Sequence, residues 1–407
     1  MWRMIGPALL FAGVAIGTSH LFQSTRAGAV YGLGLVVVIL VVCLLKYPAF
    51  RFGVDYGHAT RRSLVAGYRE LGLWAPVLFA LVAITIVPII HAALAAATAG
   101  IAIAVFGISA PVPVVGLVLL GVVATILFAG GYDWLEKINR VLVMFLLVST
   151  LATTAMVLPR VEWVTIADIG WISDPKAILF VIALAGFMPS PLDVSVAQSM
   201  WTAEAEKRQV GPIPVALAEV RSAFFSGYAL TAMLAVCFCI IGAGVMHPNG
   251  IVPETSAPGF AKQIIGLYSS VLGEGAAYLA AIAVLSVMLT TLLAALDIGG
   301  RLVATTWQHT IGESSEKAFN QTYRIAIPLL VASAGLVLFA FTRSFTAMLD
   351  LATSAAFVGA PIIAVLNHLV VTRCAMPEEG RPSQAIKSLN IVAIVLMTAL
   401  AITYFIL

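Results

Sequence analysis

Two short polar stretches carry the side chains that could do chemistry. One is Gly17-Thr18-Ser19-His20, set between the apolar runs 5–16 and 33–45 and followed by Arg26. The other is Met188-Pro189-Ser190-Pro191, preceded by Ala185 and followed by Asp193. Transition ions accept imidazole and thioether ligands, and harder ions want oxygen. His20 and Met188 are therefore the candidate metal ligands. Thr18, Ser19 and Ser190 add hydroxyls, and Gly17, Ala185 and Pro189 contribute backbone. None of these carries a carboxylate, and the nearest acid is Asp193, five residues past Met188. Stripping a dication of water without a counter-charge is costly. The set predicts a wide, hydrated, weakly selective cation site rather than tight coordination. His20 could equally carry a proton or simply satisfy a helix end.

Arg26 argues for a different substrate. An arginine within a membrane span costs about 2.5–3.5 kcal/mol on insertion scales and is usually functional or paired. Unpaired and near an outer vestibule, it would repel cations and attract an anion or a carboxylate-bearing solute. Paired, it is a fixed salt bridge or a snorkelling side chain. A helix restarting near residues 18–20 would also present an N-terminus that favours negative charge. Among the other polar residues, His91 reads as a packed side chain. Asp297 and Arg301, four apart on one face, read as an ion pair, and Asp350 as interfacial.

Enzymatic chemistry has no motif here. The sequence holds no phosphate-binding loop and no His-Glu-x-x-His pattern, and Cys237-Phe-Cys239 has the wrong spacing for zinc. Neither a cofactor nor a nucleic-acid partner is expected. Without a nucleotide site, energy would come from an ion gradient or from the substrate's own gradient.

The elements that must position these residues are membrane helices. Hydrophobic residues make up 61% of the chain and charged residues 10%, against about 25% charged in soluble domains. So few charges cannot cover a water-facing surface, which makes lipid the solvent. The apolar runs do not alternate as barrel strands would, so the spans are helices of about 20 residues. Eleven are read, at roughly 5–31, 33–53, 73–96, 112–130, 139–158, 177–200, 215–245, 276–304, 324–341, 346–371 and 388–407. The connections 159–176 and 246–275 read as loops, and the first apolar run lacks the small-residue cleavage site of a signal peptide. The four cysteines lie in or beside apolar runs and read as small packing residues. With the N-terminus inside, seventeen Lys and Arg fall on the inner side and four on the outer, Arg26 lying within span 1. Positive residues favour the cytoplasmic side. The chain is therefore expected in the plasma (cytoplasmic) membrane as a monomer, with its C-terminus outside.

Both polar stretches interrupt a span in mid-membrane. Pro189 and Pro191 lack an N–H and clash with the preceding turn. Carbonyls freed in hydrocarbon are tolerated only where protein or a wet cavity receives them. The breaks fall five spans apart, so spans 1–5 run opposite to spans 6–10. Matching breaks in two inverted halves point to a substrate site at the midplane. The halves are read at roughly 1–158 and 177–371, with 388–407 as an extra helix, all in one transmembrane unit, 1–407.

The same residues resemble NRAMP-type metal transporters over most of the chain. Gly6-Pro7-Ala-Leu-Leu opens span 1 as in that family. Ala27-Gly-Ala-Val-Tyr-Gly32 is similar to its Ala-Gly-Ala-x-Tyr-Gly, and Ala185-x-x-Met188-Pro189 to its Ala-x-x-Met-Pro. The resemblance implies an all-α LeuT-type five-plus-five inverted-repeat fold with one added helix. It also implies divalent cation transport, a metal shell including Met188 and the Ala185 carbonyl, and a polar position at Ser354. The departures are large. Gly17, Thr18, Ser19 and His20 stand where the family has its metal-binding Asp-Pro-Gly-Asn. Ser190 replaces its span 6 histidine, and Val87 and Ile90 fall near its acidic proton-transfer pair. Family-type proton coupling is therefore not expected. Cation transport stays just ahead of transport of an anion or small organic solute, and a non-transporting membrane sensor comes third.

Overall fold

The computed structural model describes residues 11, 13, 15–130, 133–208, 215–312, 315–341 and 344–407. Among these residues the protein is helical, with no strand. Gly6-Pro7 lies outside the described residues.

Span 1 is not one helix. A bend at Ile16 and Gly17 separates a helical segment before it from the π-helix Ser19–Ser24, which continues as α1 (Thr25–Tyr31). Span 2 is α2 (Val36–Thr60), and a short helix, α3 (Leu64–Leu71), follows. Spans 3, 4 and 5 are α4 (Trp74–Phe106), α5 (Val112–Ala129) and α6 (Asp133–Val157). Span 6 is split into α7 (Pro175–Phe187) and α8 (Val194–Lys207). Span 7 is α9 (Leu217–Val245), and α10 (Ala257–Leu272) follows it. The remaining spans are α11 (Glu274–Ile311), α12 (Glu316–Ala340), α13 (Phe345–Arg373) and α14 (Gln384–Ile406). Eight described helices are long and apolar enough to cross a membrane. Helix therefore occurs at every expected span, but eight is the number that length and composition alone support.

Two expectations need correction. The connection 246–275 is not simply a loop, because it contains α10. Ser256 caps that helix through the Gly259 N–H, and Ala257, Phe260, Ala261, Ile264, Leu267 and Tyr268 form its buried stripe. Pro258 and Gly259 give the segment a loop-like composition, yet Pro is well tolerated in a first helical turn. Lys46, assigned by charge to the inner flank of span 2, lies well inside α2 and is fully buried.

The packing follows the inverted halves of a LeuT-type fold. The second part of span 1 lies against span 7. A Cβ added to Gly28 on α1 would fall 1.9 Å from the Cys239 carbonyl oxygen, and one on Gly242 would fall 2.3 Å from that of Thr25. The second part of span 6 lies against span 2 in the same way. A Cβ on Gly53 would fall 2.2 Å from the Ser195 carbonyl oxygen, and one on Gly57 2.5 Å from that of Ser199. Each broken span is thus seated backbone-to-backbone on the second span of the other half.

Candidate substrate site at the two helix breaks

The break in span 6 begins where α7 ends at Phe187. Met188 is extended, and the prolines at 189 and 191 withhold the N–H groups that would continue the ladder. The last carbonyls of α7 are therefore left over. Lys46 from α2 takes them. Its ammonium Nζ donates to the carbonyl oxygens of Ala185 at 3.0 Å, Gly186 at 2.9 Å and Ser190 at 2.9 Å. Nothing in the sequence reading assigned this role. The available signal was a lysine in the middle of a 25-residue apolar helix, and such residues are functional or paired by default.

The break in span 1 is closed by neutral groups. Gly17 O accepts from the N–H of His20 at 3.2 Å and of Leu21 at 3.1 Å. Ser19 Oγ donates to the unprotonated Nδ1 of His20 at 2.8 Å and lies 3.2 Å from Ala15 O. Thr291 Oγ1, from α11, lies 3.2 Å from Gly13 O and 3.1 Å from Ile16 O, its one proton shared with Val287 O of its own helix at 2.8 Å.

A cavity of about 50 Å³ opens beside both breaks. Its walls come from four spans: Gly17, Thr18 and Ser19 of span 1, Val87, Ile90 and His91 of α4, Pro191 and Asp193 of span 6, and Thr291 and Gly299 of α11. The positions near which the family keeps acids in span 3, Val87 and Ile90, thus present apolar side chains to it. Asp193 is the acidic residue of this lining. Among the described residues no basic group lies within salt-bridge distance of it.

The other expected site residues are placed elsewhere. Ala185, Met188, Pro189, Ser190, His20 and Ser354 do not line the cavity. The Ala185 carbonyl is taken by Lys46. Met188 Sδ lies 3.9 Å from Ser24 Oγ. His20 is fully buried, with Nε2–H donating to Thr231 O at 2.9 Å and Nδ1 2.8 Å from Ser19 Oγ. Ser190 Oγ is buried without a hydrogen-bond partner, and Ser354 is buried in α13. Arg26 is paired. Its Nη1 donates to both oxygens of Asp350, at 2.7 and 2.8 Å, and its guanidinium stacks 4.7 Å from the Phe180 ring centre. Asp297 and Arg301 pair at 2.8 Å.

Two broken helices lining one cavity, each seated on the opposite half, match what is found in known proteins. The sequence matches the natural resistance-associated macrophage protein-like (Nramp) family across residues 8–407. The chain belongs to the Nramp family. An uncharacterized protein of Pasteurella multocida is 30% identical over 373 residues, which are 91% of this chain and 85% of that protein. The fold resembles that of a manganese transporter of Eremococcus coleocola, solved with an aromatic bis-isothiourea compound. That likeness has a TM-score of 0.73 at 14% identity, over 98% of this chain and 85% of the other. MhsT in complex with L-phenylalanine superposes with a TM-score of 0.68 at 15% identity, over 99% and 98% of the two chains. At these identities the likeness is one of fold. Within this Nramp-family fold, a side-chain ammonium, that of Lys46, closes the second break.

Proposed function

We propose that the protein is a secondary transporter that moves a divalent inorganic cation across the membrane, rather than an enzyme. The observation that carries this reading is the cavity, which joins both helix breaks in a chain of the Nramp family. The E. coleocola structure of the same fold is named as a manganese transporter, which makes manganese the first cation to try. The Arg26–Asp350 pair weighs against the anion or organic-solute reading, because the arginine's charge is matched by a carboxylate rather than offered to a solute. His20 is likewise committed to Thr231.

Coupling to protons through span 3 is not part of the proposal, because Val87 and Ile90 cannot carry a proton. The low count of fixed ligands implies weak selectivity and low affinity. We place the N-terminus inside, as the charge distribution suggests. The cavity, which runs along α11 towards Leu302, then faces the cytoplasm, and the Arg26–Asp350 pair closes the outer side.

Proteoliposomes test the reading directly. Uptake of manganese, and more weakly of other divalent cations, is expected without acidification of the lumen in fixed proportion. Uptake of an anion or an amino acid with no cation flux would refute it.

A further inference from the structure

On the Met188 side of the break the Ala185 carbonyl is taken by Lys46, and neither Met188 nor Ser190 lines the cavity, whereas the cavity wall carries donor groups of its own. His91 is the clearest. Its Nδ1 lies 2.7 Å from the Val87 carbonyl oxygen. A carbonyl can only accept, so Nδ1 carries the hydrogen and the lone pair of the neutral ring is on Nε2. That Nε2 is buried and no donor reaches it, while the Ala295 carbonyl acts on the ring as a second backbone acceptor beside the Val87 carbonyl, so a bound cation would have to compete with it. It faces the cavity wall at Gly299, where an added Cβ would stand 3.3 Å from it. The Thr18 hydroxyl of span 1, which also lines the cavity, is buried and unpartnered. Asp193 supplies the missing charge. It stands at the start of α8, is partly accessible and lines the same cavity.

We propose that the transported cation is held in this cavity by the Asp193 carboxylate and His91 Nε2, with the Thr18 hydroxyl, rather than by the residues flanking Met188. The inference rests on the cation-transport reading and identifies its ligands. The Lys46 ammonium bars a second cation from the Ala185, Gly186 and Ser190 carbonyls, because it already occupies them. A carboxylate oxygen, an imidazole nitrogen and a hydroxyl oxygen form a mixed donor set. Calcium and magnesium prefer oxygen alone, whereas first-row transition dications accept the nitrogen. A water needs roughly 10–15 Å³ of such volume, so about 50 Å³ leaves room for an ion that keeps two or three waters. The Lys46 charge acts on Asp193 through space. It opposes a dication, and the affinity is accordingly modest.

The test uses the full chain purified in detergent with manganese(II) chloride, read by electron paramagnetic resonance, and the same variants in proteoliposomes. Wild type is expected to bind manganese with a nitrogen-14 modulation from one imidazole. His91→Gln should abolish that modulation. Asp193→Asn should weaken binding at least tenfold and slow uptake in parallel, with Asp193→Glu restoring part of both. The nitrogen signal separates ligation from a packing role, which would leave it in place. Manganese uptake with no nitrogen coupling, or an Asp193→Asn protein that binds as wild type does, would overturn the site and leave cation transport standing. Neither binding nor uptake in wild type would overturn both.

Discussion

The two breaks solve one physical problem by different means. Each frees carbonyls in the middle of a membrane-spanning helix. In span 1 the carbonyls of Gly13, Ala15 and Ile16 lie near the hydroxyls of Thr291 and Ser19, whose two protons are shared with Val287 O and His20 Nδ1. In span 6 those of Ala185, Gly186 and Ser190 converge on one ammonium. A hydroxyl on a short side chain satisfies a carbonyl without adding charge. An ammonium brings three donors and a full positive charge, and it orders three carbonyls around a point. The second break is thus organised as it would be around a bound cation, with the cation supplied by the protein. That difference explains why the carbonyls freed at the second break are already occupied, while the cavity is bordered by Thr18, His91 and Asp193.

Removing the ammonium should produce the largest effect. Lys46→Met deletes three charge-assisted hydrogen bonds, each worth about 1.5–3 kcal/mol. The loss is partly offset because a buried charge no longer has to be desolvated. We expect a net destabilisation of about 2–4 kcal/mol, read as a lower midpoint of thermal unfolding in detergent. Lys46→Arg should not rescue it, since a planar guanidinium cannot converge on three carbonyls as an ammonium does. An unchanged midpoint in Lys46→Met would show that the two breaks do not differ in kind.

The two breaks should respond alike to crowding. Gly28 beside the first break and Gly186 beside the second both touch backbone. Their Cβ atoms would fall 1.9 Å from Cys239 O and 1.8 Å from Thr353 O. Gly28→Ala and Gly186→Ala should each cost about 1–3 kcal/mol by overpacking, with similar losses of folded protein in a detergent-solubility assay. A large asymmetry would mean that one half-helix can slide and the other cannot.

The sequence reading found both breaks because prolines and a polar run in hydrocarbon leave a local mark. It found the fold class because apolar length and charge bias are summed over many residues. Asp193 and Thr18, which line the cavity, stand out in the sequence for the same local reason. Lys46 escaped because its partners are carbonyls of a helix about 140 residues away in sequence, and backbone acceptors have no residue code. His91 reads in the sequence as a packed side chain, because its capacity as a ligand depends on which ring nitrogen the Val87 carbonyl engages. Met188 reads as a thioether ligand and Ser354 is drawn in by resemblance, and neither side chain lies in the cavity wall. Helix α10 was hidden by its own cap, where Ser, Pro and Gly imitate a loop.

A smaller effect is expected at the first break. Thr291→Val keeps the shape and removes a hydroxyl whose one proton is shared among Gly13 O, Ile16 O and Val287 O. A neutral hydrogen bond contributes about 0.5–1.5 kcal/mol. The midpoint should fall by less than half of the Lys46→Met change. An equal or larger fall would place the greater dependence on span 1 and reverse the contrast between the two breaks.

The smallest effect on stability, and the most direct on movement, is expected where the two broken spans meet away from the cavity. Arg26 on α1 pairs with Asp350 on α13 and stacks on Phe180 of α7, while Gln23 donates to Asp350 at 2.9 Å and lies 3.3 Å from Thr353 Oγ1. The pair is 22% and 32% exposed, so solvent screens it, and a double-mutant cycle of Arg26→Gln with Asp350→Asn should give a coupling of only about 0.5–1 kcal/mol. That modest energy nonetheless fastens three helices on one side. If the side must open during transport, weakening the pair shifts the population towards the open form by a few-fold. Ser354 is buried at 3% behind the pair, and the native cysteines are buried. A Ser354→Cys protein should therefore react with a membrane-impermeant maleimide several times faster when Arg26→Gln is added. Equal rates would show that Arg26 and Asp350 fasten the fold without holding this side shut.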